Sequence, residues 1–232
     1  MFSRFFSMLL SLLAPLLAPL AYAPQTDVIL ATFGDSSGTQ RSWRKTDDPV
    51  MGGLSASSFE QSGGKAVFNG TCAVVPSLQA PGFCNVETQG GLFEKYPDTS
   101  SFLEGALYLK VRSNTASFAG FKVALESKHV KCPRPGFPGT PSWKAPFAVP
   151  QGAHFSLVKV PFSTFSCDWS GYTGGCDTKD PTGQQHVCCT SATPEVCPTK
   201  EVLGAITGLE LWAEGAEGNF HLEVQSIGAG PI

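Results

Sequence analysis

The chain has 232 residues, 42% of them apolar and only 15% charged, with a formal net charge of −3. An apolar share of that size buries a core and speaks against disorder. The acidic balance, with no run of like charges longer than a pair, speaks against a nucleic-acid-binding face.

Residues 1–23 read MFSRFFSMLLSLLAPLLAPLAYA: one cation, Arg4, an apolar run, then Ala21-Tyr22-Ala23. This is the pattern of a secretory signal. The run is short for a membrane span, and Pro15 and Pro19 break its helix. The expected mature domain is 24–232, directed to the secretory route and outside the cell, with an organelle reached by that route as the alternative. No stable membrane span is expected after signal removal.

Beyond the signal the dominant period is two. ALYLKVR (106–112) sets Leu107, Leu109 and Val111 against Tyr108, Lys110 and Arg112. FKVALE (121–126) and NFHLEVQS (219–226) alternate in the same way, as half-buried strands do. Weaker strands are read at 28–33, 55–61, 65–72, 85–91, 154–162 and 206–214. In KAVFNGTC (65–72), Ala66 and Phe68 share the inward face. Asn69, in the acceptor Asn69-Gly70-Thr71, points outward, where a glycan is carried if the chain is exported. Some nine short strands separated by Gly-rich turns, with no helix between them, predict an all-β antiparallel sandwich or jelly roll.

Two segments interrupt this rhythm. Residues 131–150 hold six prolines and Trp143, and read as a rigid irregular loop. Residues 166–199 hold five of the eight cysteines and read as an insertion that disulfides must staple. Cys72, Cys84, Cys132, Cys167, Cys176, Cys188, Cys189 and Cys197 are even in number, as an oxidising compartment favours. Cys72 and Cys84 flank one turn-rich segment, and a bridge there would contribute about 3 kcal/mol.

The stretch TDDPVMGGLSASSF (46–59) reads as a tight corner: Asp48-Pro49 starts a turn, Gly52 and Gly53 allow close backbone approach, and Met51 plugs it. Asp47 and Asp48 are too few for a calcium site, which takes roughly six to eight oxygens. With Trp43 upstream, QGGLF at 89–93, VPFSTF at 160–165 and GNFHLEV at 218–224, the chain resembles the NADH:ubiquinone oxidoreductase intermediate-associated protein 30 family. The resemblance implies a galactose-binding-like jelly roll. It carries over as signature residues Trp43, Asp48, Val50, Met51, Gly52, Gly53 and Ser55, then Gly90 and Gly91, Pro161, Phe162 and Phe165, and Gly218, Phe220 and Leu222. It implies a protein-interaction or assembly role, in the founding relatives that of complex I assembly.

No nucleophile elbow, zinc helix or nucleotide loop is present, so neither an enzyme, a cofactor nor a metal is expected. Glu210, Glu214 and Glu217 near Trp212 are the nearest approach to a catalytic carboxylate pair, and are read as exposed face residues. His186 and His129 lie near cysteines, but without zinc spacing. Trp143, Trp169 and Tyr172 stand in loops, where flat aromatic faces suit sugar or protein. The expected partner is therefore a protein or, alternatively, a glycan.

Overall fold

The computed structural model describes residues 27–33, 39–48, 52–75, 82–90, 95–115, 117–134 and 142–232. The signal reading at 1–23, and Val50, Met51 and Gly91 of the signature, lie outside the described residues. Eleven strands follow in chain order: β1 Val28–Thr32, β2 Trp43–Asp47, β3 Ala56–Ser62, β4 Lys65–Cys72, β5 Phe83–Thr88, β6 Ala106–Arg112, β7 Phe121–Glu126, β8 Ser142–Pro146, β9 Ser156–Pro161, β10 Gly208–Glu214 and β11 Gly218–Gly230. One short helix, α1 Lys200–Gly204, precedes β10, and the Thr199 hydroxyl caps it by accepting from the Val202 N–H.

Two antiparallel sheets form the expected β-sandwich. The first runs β3-β4-β11-β6-β9, and the second β2-β5-β10-β7-β8. β11 is long enough to serve two neighbours on one side. It pairs with β4 through residues 218–224 and with β1 through 226–229, while β6 takes its other side. A bulge between Val224 and Ser226 bends it between those tasks.

The alternating patterns explain the core. Phe68, Leu107, Leu109, Val111, Phe220 and Leu222 point inward from the first sheet, and Val86, Val123, Leu125, Leu209 and Leu211 from the second. Each contributes roughly 1.5–3 kcal/mol through burial. Phe68 and Phe220 meet edge to face at 4.8 Å, and Phe118 and Phe121 at 5.0 Å.

Three expectations are corrected here. Residues 142–146 are a strand rather than loop, because Trp143 and Ala145 find core positions and β7 supplies the ladder. β2, unread in the sequence, pairs along β5. The Cys72–Cys84 bridge is not formed, and both are buried thiols. The segment between them joins β4 of one sheet to β5 of the other. Each sulfur finds a carbonyl instead, Cys72 Sγ donating to Gly82 O at 3.3 Å and Cys84 Sγ to Thr71 O at 3.8 Å.

The insertion is stapled as expected, by Cys176–Cys188 and Cys189–Cys197, while Cys132–Cys167 ties its base to the segment after β7. Among the described residues, no helix is long and apolar enough to cross a membrane.

Candidate functional site

The signature corner comes first, because it sets where β2, β3 and β5 begin and end. Asp48 is buried, and its carboxylate accepts three hydrogen bonds: Ser55 N–H at 2.8 Å, Ser55 Oγ at 2.6 Å and Phe83 N–H at 3.0 Å. One side chain thus joins the end of β2 to the starts of β3 and β5, in both sheets. Gly53 must be glycine, since a Cβ there would lie 2.2 Å from Asp48 Cγ. Neighbouring Asp47 accepts from Ser57 N–H at 3.0 Å, Ser57 Oγ at 2.6 Å and Lys45 Nζ at 2.6 Å. The carboxylate oxygens of this pair face donors, which is the wiring of a clamp and not of a cation site. Trp43, half-buried as a whole, packs between Phe33 and Phe59 at 5.5 and 5.6 Å.

The chemistry collects elsewhere, on the outer face of the second sheet. Register places Arg44, Glu87 and Glu210 side by side across β2, β5 and β10, and the next row holds Thr46, Asn85, Trp212 and Lys122. Lys144 reaches this face from β8. Glu210 and Glu214 are not the exposed residues expected: they are 5% and 6% exposed. Glu214 Oε2 takes Lys144 Nζ at 2.6 Å and Lys122 Nζ at 3.2 Å. Burial pulls the Glu214 pKa up, but the two ammonium groups outweigh it and hold the carboxyl below its ordinary range. Burial works the other way on Lys122, pulling its pKa down against the attraction of Glu214.

Glu210 is compensated less fully, since burial outweighs the downward pull of the Lys144 charge and of the Trp212 bond. Burial, followed by the charge of Glu126, pushes its carboxyl up to about 7, and Trp212 Nε1 donates to it at 2.6 Å. Glu126 is raised as well, by burial first. Beside them Asn85 is 3% exposed, and its Nδ2 has no hydrogen-bond partner. An unpaired buried amide costs about 1–3 kcal/mol. Nothing in the sequence pointed to Asn85, because its neighbours in space come from β2 and β10.

The cysteine insertion covers part of this face. Trp169 is buried there. Its Nε1 donates to Ser166 O at 2.7 Å, and its ring lies 5.0 Å from Lys144 Nζ and 5.7 Å from Lys122 Nζ. Gly174, at φ +65°, packs so closely on Glu214 that a Cβ would lie 2.9 Å from its Cγ. A polar knot holds the insertion in shape. His186 is fully buried, with Nδ1 2.6 Å from Asp168 Oδ1 and Nε2 2.9 Å from Asp180 Oδ2. Ser170 Oγ donates to the other Asp180 oxygen, and Val187 N–H to Asp168 at 3.0 Å. Burial alone would lower the His186 pKa, but the bonds to Asp180 and Asp168 outweigh it and raise it. The same contacts, with Ser170, hold Asp180 below its ordinary value against burial.

Of the three aromatics offered as a ligand platform, Trp143 is a core residue at 2% exposure and Trp169 is a plug against the sheet. Tyr172 stands 38% exposed. The structure does not bring the three together on one surface. Asn69 and Glu217 are exposed, as read. Among the described residues no three His, Cys, Asp or Glu side chains converge as a metal cage.

A family model described as Complex I intermediate-associated protein 30 matches residues 31–181, which takes in the signature corner and the first part of the insertion. Similar solved structures are PfGH50B (TM-score 0.47, 11% identity), an agarase, AgWH50C (0.46, 9%), and an exo-beta-agarase (0.44, 10%). They cover 90%, 89% and 88% of this chain, which spans 24%, 24% and 25% of theirs. No curated protein matches the chain.

Proposed function

Because the chain belongs to the Complex I intermediate-associated protein 30 family, we propose that it is a non-catalytic binding module that holds a partner protein, in the manner of an assembly factor. The observation that carries this reading is where the reactive groups are spent. Both ring nitrogens of His186 are bonded to carboxylates in a buried knot. The Cys72 thiol is buried, with a pKa pushed up to about 11 by that burial, so it is a poor nucleophile. Glu214 is pinned by two lysines. The signature residues Asp48, Gly53 and Ser55 are spent on the corner itself. A motif of that kind preserves a scaffold and leaves its surfaces to specify partners.

The reading extends to the secretory route, with a glycan at Asn69. Three disulfides support an oxidising destination, and there the partner is a protein other than respiratory complex I. Cross-linking of the tagged full chain in its own cells, with mass spectrometry and fractionation, tests both parts. The expected result is one protein cross-linked in stoichiometric amount in a secretory or extracellular fraction. Recovery with complex I in a mitochondrial fraction would restore the family's founding role instead. Hydrolysis of a polysaccharide or ester that Glu210→Gln abolishes would sink the non-catalytic reading. The second reading, carbohydrate binding, keeps one of its loop aromatics, Tyr172 at 38% exposure, while Trp143 and Trp169 are buried.

A further inference from the structure

Building on the protein-partner reading, we propose that the open edge of β3 is where the partner is held, and that the partner docks as an extended segment adding one strand to the first sheet. β3 lies at the end of that sheet and pairs with β4 alone. Gly63 and Gly64, at φ +59° and +77°, close the hairpin as a two-residue turn, so Ser62 and Lys65 face each other as a hydrogen-bonded pair. Bonding alternates along an antiparallel pair. Ser58 and Glu60 therefore bond to β4, while Ser57, Phe59 and Gln61 turn their backbone groups away from it. The Ser57 N–H bears out that count, since it donates outward to Asp47 Oδ2 at 3.0 Å. Among the described residues, nothing bonds the outward N–H and C=O groups of Phe59 and Gln61.

The other edges are guarded. Lys144 of β8 exchanges backbone bonds with Ser166 at 2.9 and 3.0 Å. β9 carries Lys159 and ends at Pro161, and β2 carries Arg44 and Lys45. β1 is five residues long and gives its Thr32 N–H to Thr39. β3 reads ASSFEQS and keeps seven residues in unbroken register, without proline, lysine or bulge. An edge of that kind is a template for another strand. The side chains define the occupant. Phe59 and Phe68 stand opposite each other on the inward face, yet Phe68 is fully buried and Phe59 only half-buried, because no strand lies beyond it. Trp43, 5.6 Å from Phe59, is half-buried beside it. The incoming segment sets an apolar side chain against these two rings. On the outer face Glu60 is exposed and makes no ion pair among the described residues, so the adjoining residue of the segment is a lysine or arginine. A second copy of this chain fits less well. Antiparallel pairing of β3 on β3 about Phe59 would need the Ser57 N–H, which Asp47 holds.

The test puts the photo-reactive residue benzoylphenylalanine in place of Ser62 in the tagged full chain, in its own cells, with the same label in place of Lys159 on β9 as the control. Gln61→Pro removes an outward N–H and leaves every bond to β4 in place. Gln61→Lys keeps all backbone bonds and guards the edge by charge, so it carries the comparison if the proline variant unfolds. The expected result is one partner protein cross-linked from position 62 and not from 159, through a segment that alternates apolar and basic residues. Both variants should lower that yield, Gln61→Pro by about tenfold or more. In the free chain, the amides of Phe59 and Gln61 should exchange with solvent faster than those of Ser58 and Glu60. Equal protection of the four would overturn the open edge itself. If the partner is captured equally by wild type and Gln61→Lys, or from 159 instead of 62, the docking mode is overturned and the protein-partner reading stands. A cross-link to a second copy of this chain overturns the proposed occupant. If neither label captures a protein, both readings fall together.

Discussion

Asp48 concentrates more of the fold in one side chain than its position in a turn implies. Asp48→Ala strands the Ser55 and Phe83 N–H groups inside the corner. Each stranded donor costs about 1–3 kcal/mol. We expect urea denaturation to show a loss of about 3 kcal/mol with an unchanged slope, against a change within about 0.5 kcal/mol for exposed Glu217→Gln. A loss no larger than that of the control would mean the corner is not a clamp. Glu210 is the opposite case. A carboxyl raised to about 7 works against the fold, because from its ordinary value of 4.5 upward the unfolded chain releases its proton first. Glu210→Gln should therefore match the wild type near pH 4, gain on it between about pH 4.5 and 7, and level off above that. A constant difference across that range would refute the raised titration. The sequence exposed Asp48 through its motif but gave no sign of Asn85 or of the burial of Glu210, since both depend on partners from distant strands.

At the scale of elements, legibility follows how local each pattern is. β4 at 65–72, β6 at 106–112 and β7 at 121–126 were readable in their bounds because their large apolar residues alternate, although β7 proves buried on both faces and Tyr108 of β6 is covered as well. β2 reads WRKTD, with a single large apolar residue, and is a strand because β5 offers an edge. β8 lies just after Pro141 and ends at Pro146, so its prolines masked it. The outer residues Lys122 and Lys144 are buried only because an insertion some tens of residues away folds over them. The insertion in turn depends on its polar knot, and so on pH. His186 is raised, so its contribution is fully present below about pH 6.5 and is lost as pH rises through the folded value. Asp180 is depressed, so its contribution is present above about pH 4 and is lost as pH falls through the folded value. The stability difference between wild type and His186→Gln should then be greatest between about pH 4 and 6.5 and shrink on either side. A difference that does not vary with pH would show that the knot is held by shape and not by charge.

Across the whole molecule, sulfur and hydrophobic packing act on separate parts. The three bridges lie within the insertion or at its base, and the described sandwich core is crossed by none of them. The expected cross-link of the two sheets, Cys72 to Cys84, is replaced by two thiols buried where the sheets meet. The sandwich therefore stands on its apolar faces, and reduction should release the insertion while the strand signal persists. Alkylation resolves this by counting. The folded, oxidised protein should take up no label quickly, since both thiols are buried and that of Cys72 is pushed up to about 11. Denaturant without reductant should expose two sites, Cys72 and Cys84, and reductant should raise the count to all eight cysteines. Peptide mapping then assigns the pairs. A count of zero in denaturant would mean a fourth bridge joins the sheets, and the separation of roles would fail. A count above two would mean that the insertion is unstapled, and the buried charges of Lys122, Lys144 and Glu214 would lose their cover.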